Sequence, residues 1–228
     1  MCIRDRGETS VTTASQDPRD PDDRAAQDGR LTRAARTRAA VVDALLTLNE
    51  RGNVRPTARD IATEAGVSLR SLYVHFDDLE ALFVAAAERH TDRLAALVGP
   101  LIVQGDRESR IEMLLTRHAT LYEAGAGVRR AALLQEPFSP ALQQALTLGR
   151  KLARSTIRQV FAPELATAGD EGRDALARAL EIATSAATWD ALRSFQQLSV
   201  EAATDQVREM VLAFFTRWAP STGNGRRT

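Results

Sequence analysis

Arg59, Arg70, Ser71, Tyr73 and His75 crowd into one short stretch of the chain, "TARDIATEAGVSLRSLYVHF" at positions 57–76. A guanidinium can make paired hydrogen bonds to a guanine edge or to a phosphate, and hydroxyl and imidazole groups can donate to phosphate oxygens. The chemistry this set supports is recognition of a patterned polyanion. A solvated helix face is the plain alternative, but such a face has no need of Arg, Tyr and His beside a Gly-Val-Ser turn. Other chemistries find little footing. His75, His90 and His118 are the only histidines, no two stand at ligand spacing, and neither a metal nor a cofactor is expected. Gly-x-Ser-x-Gly, a phosphate-binding Gly-rich loop and a Cys–His pair are all missing, so the chain does not read as an enzyme. His118 and Tyr122 share a helix face at i, i+4; with Met113 and Trp189 they are the candidate lining of a small-molecule pocket. A core His and Tyr with satisfied hydrogen bonds, and a core Trp, would give the same pattern.

The elements that must hold these groups are legible. Val41, Val42, Leu45 and Leu48 form one stripe of a helix expected over about 33–51, with Gly52 at its C-terminal cap. Thr57 with Asp60 is a variant of the capping box that opens a second helix, whose inner stripe is Ile61, Ala62 and Ala65. Gly66 stops it. Ser68 caps a third helix that turns Leu72 and Phe76 inward and leaves Arg70, Ser71, Tyr73, Val74 and His75 largely outward. Asp77 with Glu80 makes the next capping pair, and Leu79, Leu82, Phe83 and Ala86 begin a long fourth helix toward Leu97. Two short helices around a glycine turn form a helix-turn-helix unit, in which the second helix enters the DNA major groove.

Breaks near Gly105, Gly125–Gly127, Pro137–Pro140, Pro163–Gly172 and Ser199 divide the remainder into helices expected at 108–124, 128–135, 140–161, 172–198 and 202–218. The last two carry apolar residues over more than one side, which implies a second partner, another subunit; Ala183, Ala187, Val207, Val211, Phe214 and Trp218 are the candidate dimer contacts. Residues 1–30 and 219–228 lack apolar periodicity and are expected to be disordered tails. The opening "MCIRDR" looks like translated linker DNA. The expected organisation is therefore a helix-turn-helix domain over 31–77 and a helical ligand-binding and dimerisation domain over 78–218.

Composition agrees with an all-α protein. Only 5% of residues are aromatic, β-branched residues are not clustered, and Ala, Leu and Arg abound. Thirty basic residues balance thirty acidic ones, so no whole-molecule field marks a polyanion binder, but residues 31–76 hold seven arginines against four acids, a local excess of +3. Arg33, Arg36 and Arg38 stand just ahead of the motif; such a run is either a solvated helix start or a set of phosphate contacts. The single cysteine, Cys2, can form no internal disulfide, and no signal-like or membrane-spanning stretch is visible, so a cytoplasmic location is expected.

The 57–76 stretch followed by "DDLEALF" closely resembles the DNA-binding domain of the TetR/AcrR-type transcriptional regulators, over about residues 33–90. The resemblance implies that Thr57 holds a phosphate, Arg59 reads a base, Leu69, Arg70 and Ser71 face the groove, and Tyr73 and His75 grip the backbone. It further implies a homodimer on a palindromic double-stranded operator, a repressor released by a small molecule. One position departs from the pattern: many relatives carry a phosphate-binding lysine where this chain has Leu79, preceded by Asp77 and Asp78. Two acids there oppose phosphate approach. The competing readings are a helical enzyme or ligand carrier whose helix-turn-helix does not bind DNA, and an adaptor that holds a protein partner with the same three helices.

Overall fold

The computed structural model describes residues 21–218, with side chains from residue 29 onward; the expected tails at 1–20 and 219–228, Cys2 included, lie outside the described residues. Helix α1 runs over Pro21–Glu50 and so takes in residues 21–30 of the expected tail. Low hydrophobicity does not preclude helicity. Proline is at home at the first helical position, where its missing N–H has no partner to lose, and alanine pairs at 25–26 and 34–35 are the strongest helix formers.

Helices α2 (Ala58–Glu64), α3 (Leu69–His75) and α4 (Leu79–Val98) follow with the expected boundaries. Asp78 rather than Asp77 caps α4, accepting the Ala81 N–H at 2.8 Å. Val41, Leu45, Leu46, Ile61, Leu72, Phe76 and Leu82 form one buried core, sealed at its edge by Leu48, Ala65, Val67 and Leu79. Each short helix is held by this shared core, since seven residues are too few for a helix to persist alone.

A second core belongs to α5 (Arg107–Gln135), α6 (Pro140–Val160), α7 (Ala162–Thr167), α8 (Gly169–Ala183), α9 (Ala186–Asp190) and α10 (Val200–Trp218). A 3-10 turn at Glu136–Phe138 and a π-helical turn at Ala191–Phe195 complete the order. Among the described residues all regular structure is helical, and no helix is long and apolar enough to cross a membrane.

Two expected breaks and one expected helix came out differently. Helix α5 runs straight through Gly125-Ala-Gly127, because the second glycine is needed for contact: a Cβ at 127 would lie 2.6 Å from the Asn49 carbonyl oxygen. The stretch Pro163–Gly172 contains α7, anchored by Leu165 in the core and by buried Glu164, which pairs with Arg110 and, at 3.3 Å, with Arg107. The single helix expected over 172–198 is instead α8, α9 and the π-helical turn. The Thr184 hydroxyl donates back to the Leu180 carbonyl, and Ser185 Oγ accepts the Thr188 N–H at 3.1 Å to start a new helix.

Ion pairs and close packing tie the N-terminal helices to one another and to the second core. Asp43 on α1 accepts from both Arg89 and Arg93 on α4, at 3.0 and 2.8 Å. On the other side, α5 lies against the end of α1 at Gly127, and Gln135 donates to the Val54 carbonyl in the loop that leads into α2.

Candidate nucleic-acid interface

The turn between α2 and α3 is built by local bonds. Thr57 Oγ1 accepts the Asp60 N–H, while the Asp60 carboxylate accepts both the Thr57 N–H and its hydroxyl, each at 2.8 Å. These bonds, the one from the Thr57 backbone first, hold the Asp60 carboxyl below its usual range. Gly66 takes φ 66°, the left-handed region that glycine enters without penalty, and the Val67 N–H closes the turn on the Ala62 carbonyl. Ser68 Oγ then accepts the Ser71 N–H at 3.0 Å. One consequence bears on Thr57. Its only hydroxyl proton is directed to Asp60, so the phosphate contact implied by the resemblance requires that bond to break.

Helix α3 buries Leu72 and is followed by buried Phe76 at its C-cap. Its outer side presents Leu69 and Arg70 in the first turn and Tyr73 and Val74 in the second, with Val74 71% exposed; Ser71 and His75 sit half-buried at the flanks. Arg59 projects from α2 into solvent. The guanidinium groups of Arg59 and Arg70 hold no ion pair or hydrogen bond with any described residue, whereas Arg51 is tied to Glu64 at 3.1 Å and Arg55 reaches the Leu134 carbonyl. Two charged forks therefore remain available to a partner. Sequence reasoning missed one contact of this surface: the Arg38 guanidinium stacks over the Phe76 ring at 4.4 Å, a pairing across separate helices with no local signature.

The candidate pocket residues converge only in part. His118, Tyr122 and Trp189 meet with Leu115, Thr184, Ser185 and Val207 around a void of about 10 Å³, and Met113 packs elsewhere in the same core. That volume is at the lower limit for one water and far from a ligand's few hundred cubic ångströms. Burial lowers His118 to about 4, so it is neutral, with its Nδ1 unpaired; burial also raises Tyr122 to about 12, and its hydroxyl donates to the Thr184 carbonyl at 2.8 Å. Over the void, Glu123 accepts from the Trp189 indole N–H and from Arg193, locking α5 to the elements after α8.

Residues 43–86 match the family model of the bacterial regulatory proteins of the tetR family. That match spans the helix-turn-helix, which is thus similar to the tetR family. In overall fold the chain is similar to a transcriptional regulator from Rhodococcus sp. Rha1, with 20% identity, 81% of this chain and 96% of that one covered, and a TM-score of 0.62. It is also similar to a TetR transcription regulator from Haloarcula marismortui ATCC 43049, with 17% identity, 81% and 98% covered, and a TM-score of 0.57. No curated protein gives a significant match.

Behind the helix-turn-helix, the candidate dimer contacts lie mostly inside the protomer. Ala183, Val207 and Val211 are buried within the protomer's own core, and Phe214 and Trp218 pack against that core at its edge; only Ala187 is exposed. Helix α10 has a single apolar side. Its outer side carries Glu201, Asp205, Gln206, Glu209 and Thr216. Neighbouring elements within one protomer surround much of each helix, which accounts for the breadth of the apolar pattern.

Proposed function

We propose that this protein is a dimeric, sequence-specific DNA-binding transcriptional regulator, a repressor that a small molecule releases from its operator. The observation that carries the reading is the outer side of α3 with the neighbouring Arg59: a recognition surface whose two guanidinium groups have no partner in the described protein. In this reading Arg59 and Arg70 contact base edges, Leu69, Ser71 and Val74 face the groove, and Tyr73 and His75 donate to backbone phosphates. Pairing on a two-fold axis sets two α3 helices roughly 34–36 Å apart, one turn of the duplex. Exposed Ile182, Ala187 and Phe195 supply apolar surface for that pairing.

Release follows from the domain joints. An effector that opens the void at His118, Tyr122 and Trp189 displaces α5, and α5 bears directly on Asn49 and Val54 at the entrance to α2. The effector needs only to bind the displaced arrangement more tightly than the DNA-competent one.

The test is a comparison of wild type and Arg59→Ala against a set of operator variants. Arg59→Ala is expected to cost on the order of 1–3 kcal/mol and to relax preference at one base pair, whereas Tyr73→Phe weakens binding to all sequences alike. Unchanged sequence preference in Arg59→Ala removes the base-reading assignment, and a wild-type protein that ignores every duplex at low salt removes the whole reading.

A further inference from the structure

Around the void beside His118, every side-chain donor is engaged while one buried acceptor is not. The Tyr122 hydroxyl donates to the Thr184 carbonyl and the Thr184 hydroxyl to the Leu180 carbonyl, each at 2.8 Å. The Thr188 hydroxyl donates to the Ile182 carbonyl, so the Ser185 hydroxyl gives its proton to Thr188 Oγ1. The Trp189 indole N–H goes to Glu123. His118 is 7% exposed, and its Nδ1 has no hydrogen-bond partner. The ring's other bond is to the Thr184 backbone, and a carbonyl only accepts, so the proton is on Nε2 and Nδ1 presents a lone pair. A buried acceptor without a donor is costly, which favours anything that supplies one.

These bonds define what fits. A ligand carbonyl or carboxylate meets no free side-chain donor here. A cation is opposed by the same burial, and the same nearby Arg117, that keep a second proton off the ring. A neutral O–H or N–H aimed at Nδ1 completes the set. The rest of the wall is apolar or aromatic: Leu115 and Val207 stand beside the tilted rings of His118, Tyr122 and Trp189, whose centroids are 5.1 and 6.2 Å apart in series. Rings so arranged receive a further ring edge to face.

Room comes from α9. The void holds about 10 Å³, so a ring enters only if a wall moves. Helix α9 has five residues, begins at the Ser185 break and runs into the π-helical turn, and Gln197 beyond it takes φ 54° although it is not glycine. Trp189 is its contribution to the wall. Polar bonds latch it to α5: Glu123 on the indole, and Arg129 on Asp190 at 2.6 Å. Both carboxylates are partly exposed, so water can take over those bonds when α9 swings out. A ligand that binds the opened arrangement makes it the dominant one.

We propose that the chamber closed by Trp189 binds a small uncharged aromatic molecule with one hydrogen-bond donor, of the phenol class, which displaces α9 and donates to His118 Nδ1. This gives the effector of the release mechanism above its chemistry, and it rests on that reading for any effect on DNA.

The experiment titrates phenol and its donor-free counterpart toluene into the full chain without DNA. The signal is Trp189 fluorescence in a Trp218→Phe background, which leaves it the only tryptophan. Phenol is expected to shift the emission as the indole loses Glu123. His118→Leu keeps an apolar side chain in the core and should weaken phenol binding roughly three- to tenfold while leaving toluene unchanged, since only the hydrogen bond is lost. Glu123→Ala removes the latch with His118 intact and should strengthen both probes, because the open arrangement is then more populated. Equal losses of phenol and toluene in His118→Leu, or no phenol binding even in Glu123→Ala, overturn the proposal. If phenol binds as expected yet leaves affinity for duplex DNA unchanged, the site stands and the release reading falls.

Discussion

Gly127→Ala tests the joint between the two domains, and the structure sets its size. An added Cβ would stand 2.6 Å from the Asn49 carbonyl oxygen, 2.9 Å from the Glu50 Cα and 3.2 Å from the Asn49 carbonyl carbon. All three are backbone atoms of α1, so no side chain can swing aside. Relief requires the helices to part by about 1 Å, because non-bonded carbon contacts are comfortable only near 3.5–4.0 Å. Overpacking of this kind costs about 1–3 kcal/mol, and the rigidity of the obstacle argues for the upper half of that range. Against it stands the better helix propensity of alanine, about 1 kcal/mol. A net loss of about 1–2 kcal/mol results. Gly149 in α6 supplies the control: it is also a mid-helix glycine, but a Cβ there meets nothing within 4 Å. Gly149→Ala should therefore gain about 0.5–1 kcal/mol. Urea denaturation of both variants should separate them by about 1.5–3 kcal/mol, and thermal midpoints should move in opposite directions, by about 2–4 °C per kcal/mol in a protein of this size. Equal stability of the two variants would refute the claim that α5 touches the backbone of α1. Since the obstacle sits at the entrance to α2, Gly127→Ala should also weaken duplex binding, and Gly149→Ala should not.

Two further outcomes follow from the same reasoning. Ser68→Ala removes the acceptor for the Ser71 N–H and should lower stability by about 1 kcal/mol, with Ser68→Asp recovering most of it in urea melts; equal midpoints for Ser68 and its alanine variant would deny the cap a role. His118 is held neutral by burial, near 4, while the unfolded imidazole takes its proton below about 6.5; this site is silent above 6.5 and destabilises progressively as pH falls toward 4. Between pH 7.5 and 5.0 wild type should lose about 2 kcal/mol more than His118→Gln, and parallel pH profiles would show that the imidazole is not buried in its neutral form.

Local signals carried the helix-turn-helix part of the molecule. Thr57-x-x-Asp60, the left-handed Gly66, Ser68 and the i, i+4 pair Leu72 and Phe76 act within a few residues of one another, so their spacing alone sets where α2 and α3 begin, end and face. Of the residues left outside that pattern, Arg59, Arg70, Tyr73 and Val74 are exposed, whereas Ser71 and His75 are half-buried. Tertiary structure decided the rest. Gly127 reads as a helix breaker until a second backbone is seen pressed against it, and Val207 and Val211 read as a subunit interface until α5 and α8 are seen to enclose them. A residue's type determines what it can bury or bond, but which partner it meets depends on chain segments scores of residues away, and no spacing within a helix encodes that encounter.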